Sequence, residues 1–384
     1  MENVIYLKKK PELSRTNRIV SYFFFCIYVL YPIIERFINT LPHRTTLFML
    51  FSLITSFFIF FFNHPSNKEI KYGLLFYIVS CFWALFGNDA LPAFATSSVL
   101  VIYKANYKKA LKIGFWALLI GFSLIAFLSY FFGFHYSDNM FNDQTGELIR
   151  WSMGFTHPNH AGLLFIFIMM MFMIAYKQNW LTILFVFASS YIVYLGCKSR
   201  TIFIFAFLVL FLYYPFKLLI KYKGIQAIVT FAFPIFAIVS IILALYMPTG
   251  TLNNLLSGRL WYMNYYLKNI TPTLLGGDKY VDRMYIDNLY FQYLYRGNIL
   301  KFVFQNIINI IGIHYSCKQL SKSIKTSFLF EYMCYLCIGM TINLTNIYFT
   351  PIHFMICLCL FNELTKQKEK QIARAYALSQ IAIN

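Results

Sequence analysis

The sequence predicts an all-α chain, a polytopic integral membrane bundle of about 12 transmembrane helices with one large extracytoplasmic loop. Three observations carry this reading. Hydrophobic residues make up 59% of the chain and charged residues 12%, whereas a soluble domain is nearer a quarter charged. Apolar runs of roughly 16–23 residues recur along nearly the whole sequence, each long enough to cross a hydrocarbon core of about 30 Å as a helix. Lys and Arg gather in alternate connections between these runs, as the positive-inside rule requires.

The chain opens on a basic segment, "MENVIYLKKKPELSRTNR", followed by an apolar run of about 20 residues. No small-residue cleavage site follows, so this run is read as an uncleaved first span. The spans fall at about 19–38, 46–62, 72–87, 90–104, 112–134, 161–176, 179–197, 201–221, 226–247, 298–316, 326–344 and 347–362. Backbone polar groups must be satisfied inside lipid, so these runs are helices. The fourth is short and carries Pro92, which suits a re-entrant segment as well as a full crossing. Nothing divides the chain, and 1–384 is read as a single membrane domain.

With the N-terminus inside, the cytoplasmic segments hold about 22 of the 33 Lys and Arg. That bias places both termini in the cytoplasm. It makes much of the formal net charge of +19 a topology signal with attraction to anionic lipid, and nucleic acid is not expected as a partner. The eight cysteines lie in or beside apolar runs. Cys334 and Cys337 have CxxC spacing but no second pair at zinc-finger distance, so they are read as packing residues. The tail, about 363–384, reads as a short amphipathic or exposed helix.

Two connections on the outer side are long, about 135–160 and 248–297. The second is rich in Tyr, which suits a folded segment at headgroup level. Outside arginines run against the charge rule. Arg200 sits with Lys198 at the tight turn "GCKSRTIF", and Arg259 opens a probable interfacial helix in "SGRLWYMNYYL", whose Leu260, Trp261, Tyr265 and Leu267 face lipid. Each arginine either snorkels to headgroups or clamps a lipid-linked phosphate, because its rigid fork of donors matches phosphate oxygens. In "YIDNLYFQYLYRG", Asp287 is either a general base on a sugar hydroxyl or the cap of the helix that follows. In "GFTHPNHAG", Pro158 suits a first helical turn, with His157 or Thr156 at its cap. The functional alternative has His157 and Asn159 facing an outer cavity. Glu331 and Lys301 are charges inside spans, which either pair or line a cavity. No HExxH, GxSxG or Walker motif occurs. Asp278, Asp282 and Asp287 are too loosely spaced, and too interleaved with Lys279 and Arg283, to suggest a metal site.

Taken in order, "HPN" before a mid-chain span, "SR" at a tight outer turn, "SGR...W" in one large outer loop and then "DN.Y......G" resemble the O-antigen polymerase and ligase superfamily. The nearest likeness is to the Wzy-type polymerases of bacterial capsule and exopolysaccharide clusters. The resemblance covers roughly residues 90–350 and implies a multi-pass protein of the bacterial cytoplasmic membrane. The implied reaction transfers a growing glycan from undecaprenyl pyrophosphate onto the next lipid-linked repeat unit, with no metal and no cofactor. It also implies a flippase and a chain-length regulator as pathway partners. Carried over, Arg200 and Arg259 hold the pyrophosphate. Asp287 is the first candidate for the base and His157 the second. Asn159, Lys198, Ser257, Asn288 and Arg150 are expected to bind substrate. The related ligases carry a histidine near the "DN" position, so Asp287 argues for polymerase over ligase. A lipid-linked oligosaccharide flippase is the rival from another class, expected to show deep polar residues and repeat symmetry.

Overall fold

The computed structural model describes residues 13–38, 41–86, 91–135, 138–143, 146–256, 258–275, 286–341 and 350–366. In chain order the elements are α1 (Arg15–Val29), α2 (Tyr31–Phe37), α3 (Arg44–Phe62), α4 (Asn67–Phe86), α5 (Leu91–Ile102) and α6 (Tyr107–Phe132). A hairpin of β1 (Asp138–Asp143) and β2 (Gly146–Trp151) leads to α7 (Pro158–Ala175) and α8 (Trp180–Cys197). Next come α9 (Arg200–Phe207), a π-helical turn at Leu208–Leu212, and α10 (Tyr213–Leu219). They are followed by α11 (Lys223–Thr230), α12 (Ala232–Tyr246), α13 (Thr251–Leu255) and α14 (Arg259–Asn269). The last group is α15 (Leu289–Phe291), a second π-helical segment at Gln292–Gly297, α16 (Ile299–Gln319), α17 (Lys322–Gly339) and α18 (Pro351–Thr365).

Each of the twelve predicted apolar runs coincides with a helix or a broken helix pair. Five helices are long and apolar enough to cross a membrane, or up to seven if each bent pair counts as one span. The architecture fits a helical membrane protein. The bends have a cause: α1 and α2 meet at 61°, α11 and α12 at 60°, and Pro32 and Pro234 stand just past the two breaks. Proline cannot donate to the preceding turn. The fourth run forms α5, whose 12 residues extend about 18 Å at the helical rise, well short of a hydrocarbon core. Residues Ala93–Tyr103 of this region are buried, so α5 is a short helix enclosed by its neighbours.

The helical class holds, with one short strand pair added to it. The connection between α6 and α7 contains the antiparallel hairpin β1–β2, with Asn139 opposite Arg150 and Asp138 opposite Trp151. Pairing lets this connection satisfy its backbone groups while holding a fixed shape.

The centre of the bundle is α7. Fifteen of its 18 residues are buried, and a helix apolar on every side belongs in an interior. Contact between helices relies on small residues where water supplies no driving force: Ser21, Ser52, Ser56, Ser97 and Ser98 are fully enclosed. The outer helices turn large apolar side chains outward, among them Phe58, Ile78, Ile120, Leu181 and Ile192. Such contiguous apolar surface suits lipid.

The contacts between the ends of the helices fall into two groups. In one, Arg36 Nε donates to Gly154 O at 2.9 Å, Arg150 Nε to Cys197 O at 3.1 Å and Asn288 Nδ2 to Met340 O at 3.1 Å. In the other, Lys104 Nζ reaches Asn63 O at 3.0 Å and Lys325 Nζ reaches Cys317 O at 2.9 Å. The short Lys-rich turns go with this second group.

Glu331 and Lys301 do not pair. Glu331 is fully buried and neither carboxylate oxygen has a hydrogen-bond partner. Lys301 instead sets its ammonium over the Tyr293 ring at 5.5 Å.

Candidate functional site

The N-terminal end of α7 is the anchor. Pro158 occupies the first turn, where its missing N–H is no loss, and His157 is the cap, its Nδ1 accepting from Asn159 N at 3.1 Å. That bond puts the proton of the neutral imidazole on Nε2. Burial, His160 and Arg150 push the His157 pKa down to about 4, against an opposing pull from Asp287. A ring so weakly basic is a poor general base at neutral pH. Thr156 does not cap the helix; its Oγ1 lies 2.6 Å from His160 Nδ1.

Gly162 lets the next element approach. A Cβ built there would sit 3.1 Å from Ser199 Cβ, so the absence of a side chain allows α7 to press against the α8–α9 turn. In that turn Lys198 has left-handed backbone, φ 47°, and its ammonium lies 5.8 Å from the centre of the Tyr194 ring. Ser199 is fully buried, and Arg200 begins α9 exposed to solvent.

Arg150, at the end of the hairpin, ties these parts together. Its Nη2 donates to Asn159 Oδ1 at 2.6 Å, and its Nε to Cys197 O at 3.1 Å. Burial pushes its pKa below the ordinary value, and the charges of Arg200 and Arg259 add to that, while Cys197 opposes it. The guanidinium remains charged, and it feels the charges of Arg200 on α9 and Arg259 on α14.

Arg259 reaches this group because the segment after α12 folds back on the bundle. Gly258, with φ 79°, caps α14 in a left-handed conformation that a side chain would resist. Trp261 N donates to Asn253 Oδ1 at 3.1 Å, and Asn264 Nδ2 to Ala244 O at 2.9 Å. Leu260 and Tyr266 bury against Ala244, Phe291 and Tyr295. The expected lipid contact is therefore wrong for Leu260, which is 1% exposed, while Trp261 is 50% exposed. Arg259 then donates through Nη2 and Nε to Asp287 Oδ2, at 2.9 and 3.2 Å, and through Nη1 to Leu256 O at 3.2 Å.

The capping alternative for Asp287 falls to its neighbour. Asn288 caps α15, its Oδ1 accepting from Tyr290 N at 3.0 Å and Phe291 N at 3.1 Å. Its Nδ2 donates to Met340 O and lies 3.4 Å from Ser240 Oγ, and the residue is buried. Asn288 thus holds the chain in place rather than facing a ligand, and it leaves Asp287 free to pair with Arg259. Ser257, Asp278, Lys279, Asp282 and Arg283 lie outside the described residues.

Two residues join the group without having been assigned a role from sequence. The charges of Arg36 and Asp287 both reach His160, whose ring centroid lies 6.1 Å from that of His157. The second histidine of "HPNH" was the available signal, since positions three apart share a helix face. Arg36 had none beyond ending an apolar run. Among the described residues, no group of three His, Cys, Asp or Glu could hold a metal ion.

No protein-family profile, no curated protein and no solved structure matches this chain. The chemistry is therefore argued from the geometry: three guanidiniums and one carboxylate beside a neutral imidazole, at one end of an apolar bundle. A cluster of guanidiniums attracts a polyanion.

Proposed function

We propose that the chain polymerises lipid-linked oligosaccharide repeat units, transferring a glycan from a polyprenyl pyrophosphate to a hydroxyl of the next lipid-linked unit. The observation that supports this reading is the Arg259–Asp287 pair at the same end of the bundle as Arg150, which feels the charges of both Arg200 and Arg259. In the reaction the acceptor hydroxyl forms a bond to the anomeric carbon as the bond to pyrophosphate breaks. Asp287 takes the hydroxyl proton, and the arginines balance the charge that develops on the leaving pyrophosphate. His157 donates from Nε2 to a sugar or phosphate oxygen. In this reading the twelve apolar segments cross or enter a bacterial cytoplasmic membrane, both termini are cytoplasmic, and the arginine end faces outward. A flippase and a chain-length regulator are its pathway partners.

A second reading, a lipid-linked oligosaccharide flippase, draws on Glu331, because an ionisable residue buried in a membrane helix is commonly functional. Deleting the gene and sizing surface and lipid-linked glycans separates the two. Single repeat units on lipid at the outer leaflet, never joined, are the expected result. Single units trapped on the inner leaflet would favour the flippase, and unchanged glycans would overturn both. Arg259→Ala and Arg200→Ala are each expected to abolish polymer at unchanged membrane abundance.

A further inference from the structure

At the end of the bundle opposite Arg259, a cavity of about 910 Å³ opens among the α7–α8 turn, α10, α11 and the start of α17. Five lysines line it, Lys177, Lys217, Lys221, Lys322 and Lys325, and no acidic residue does. Elsewhere at this end a lysine has a carboxylate: Lys104 lies 3.7 Å from Glu69. Here Lys325 spends its ammonium on Cys317 O, and Lys217 lies over the Tyr214 ring at 5.4 Å. Neither Lys177, Lys221 nor Lys322 has an acidic partner among the described residues. The first turn of α17 borders the same space, and its cap Ser321 makes no side-chain bond to it. Gathering like charges around a cavity is unfavourable unless an anion shares it.

The surroundings say which kind of anion. Leu218, Leu219 and Tyr222, beside the lysines on α10 and the turn after it, are 61%, 49% and 66% exposed. These side chains are not part of the cavity lining; they add apolar surface next to it along the chain, which a free phosphate would not use and acyl chains could lie on. One cavity wall is Gln178, a buried residue whose Oε1 has no hydrogen-bond partner; a headgroup hydroxyl can supply the missing donor. We infer that this cavity binds the headgroup of an anionic glycerophospholipid, of the phosphatidylglycerol class, in the leaflet at the lysine end. The phosphate sits among the lysines and the glycerol hydroxyls bond the polar wall. The site is independent of the chemistry at the arginine end, and either can fail alone.

The test uses the full chain purified in a neutral detergent and titrated with phosphatidylglycerol, phosphatidylcholine or inorganic phosphate, with bound lipid read by native mass spectrometry. Phosphatidylglycerol is expected to bind at least about tenfold more tightly than phosphatidylcholine, since each basic residue near an anionic lipid contributes roughly a fivefold effect and more than one lysine lines the cavity. The triple variant K217Q/K221Q/K322Q should lose about tenfold or more, and raised salt should weaken binding to the wild type. K217R/K221R/K322R should retain binding, which separates loss of charge from loss of fold. Lys109→Gln, in a separate basic cavity lined by Arg15, Arg18, Lys104 and Lys109, should change nothing. Equal binding of the two lipids, or undiminished phosphatidylglycerol binding in a folded triple glutamine variant, would overturn the inference. Inorganic phosphate competing as well as the lipid would overturn it too, by making this a site for a free anion.

Discussion

Replacing Arg259 by lysine keeps the charge and removes the fork. Three side-chain hydrogen bonds hold the guanidinium, two to Asp287 and one to Leu256 O, and an ammonium on a straight stem can reproduce one of them. The two side chains are 21% and 17% exposed, so each lost bond lies between the exposed and the buried case. Exposed pairs are worth ~0.2–1 kcal/mol and buried charged bonds ~1.5–3. About 1 kcal/mol each gives about 2 kcal/mol for the substitution, or roughly 30-fold in the population that keeps α14 and Asp287 together. A double-mutant cycle of Arg259→Ala, Asp287→Ala and the pair isolates the coupling, read as thermal unfolding through intrinsic tryptophan fluorescence. A coupling of about 1–2 kcal/mol is expected, and additivity within ~0.3 kcal/mol would refute the pairing. In cells, Arg259→Lys should shorten or abolish the polymer at normal abundance. Full-length polymer from the lysine variant would show that the fork is not what the reaction needs.

Four further outcomes follow from the same geometry. His157 accepts a proton near 6.5 when unfolded but only near 4 when folded, so stability is full above 6.5 and is lost as pH falls towards 4; His157→Asn, which can still cap α7, should flatten that dependence in a pH series of melting curves. Asn288→Ala removes a cap and strands buried donors, at a cost of about 2–3 kcal/mol, and a melting temperature unchanged from wild type would contradict its structural role. Gly162→Val should force α7 away from Ser199 and displace Arg200, destabilising by about 1–3 kcal/mol, with polymer lost more completely than protein. Glu331→Gln should be neutral or stabilising, because a buried carboxylate without a partner is unfavourable, and should leave polymer length unchanged; arrest of units on the inner leaflet would instead support the flippase reading.

Much of the helical fold was legible because length and apolarity are local properties. Each apolar run became a helix or a bent pair, whereas the two sharp bends, beside Pro32 and Pro234, were not anticipated. The hairpin was missed although its two six-residue strands flank a two-residue interval, a spacing that signals a tight turn. Its polar strands lacked the alternation that usually announces pairing. For the site, residue types were readable but partners were not. Whether Asp287 or Asn288 caps α15 is decided by which side chain turns back along the helix, and two adjacent capping residues look alike in sequence. The meeting of Arg150 with Asn159 and Cys197, and of Arg259 with Asp287, depends on how β2 and α14 fold over the bundle end. No periodicity encodes that.

The enclosure of α7 has a consequence for how the arginine end would respond to its surroundings. Helices on the rim of a bundle tilt and slide when a bilayer thickens, thins or changes its lipids. A helix with fifteen of 18 residues walled in by protein is shielded from those forces. His157, Asn159 and the seat of Arg150 are mounted on that shielded post, so their spacing is set by neighbouring side chains rather than by the membrane. The same chain should therefore hold this geometry in bilayers of quite different thickness.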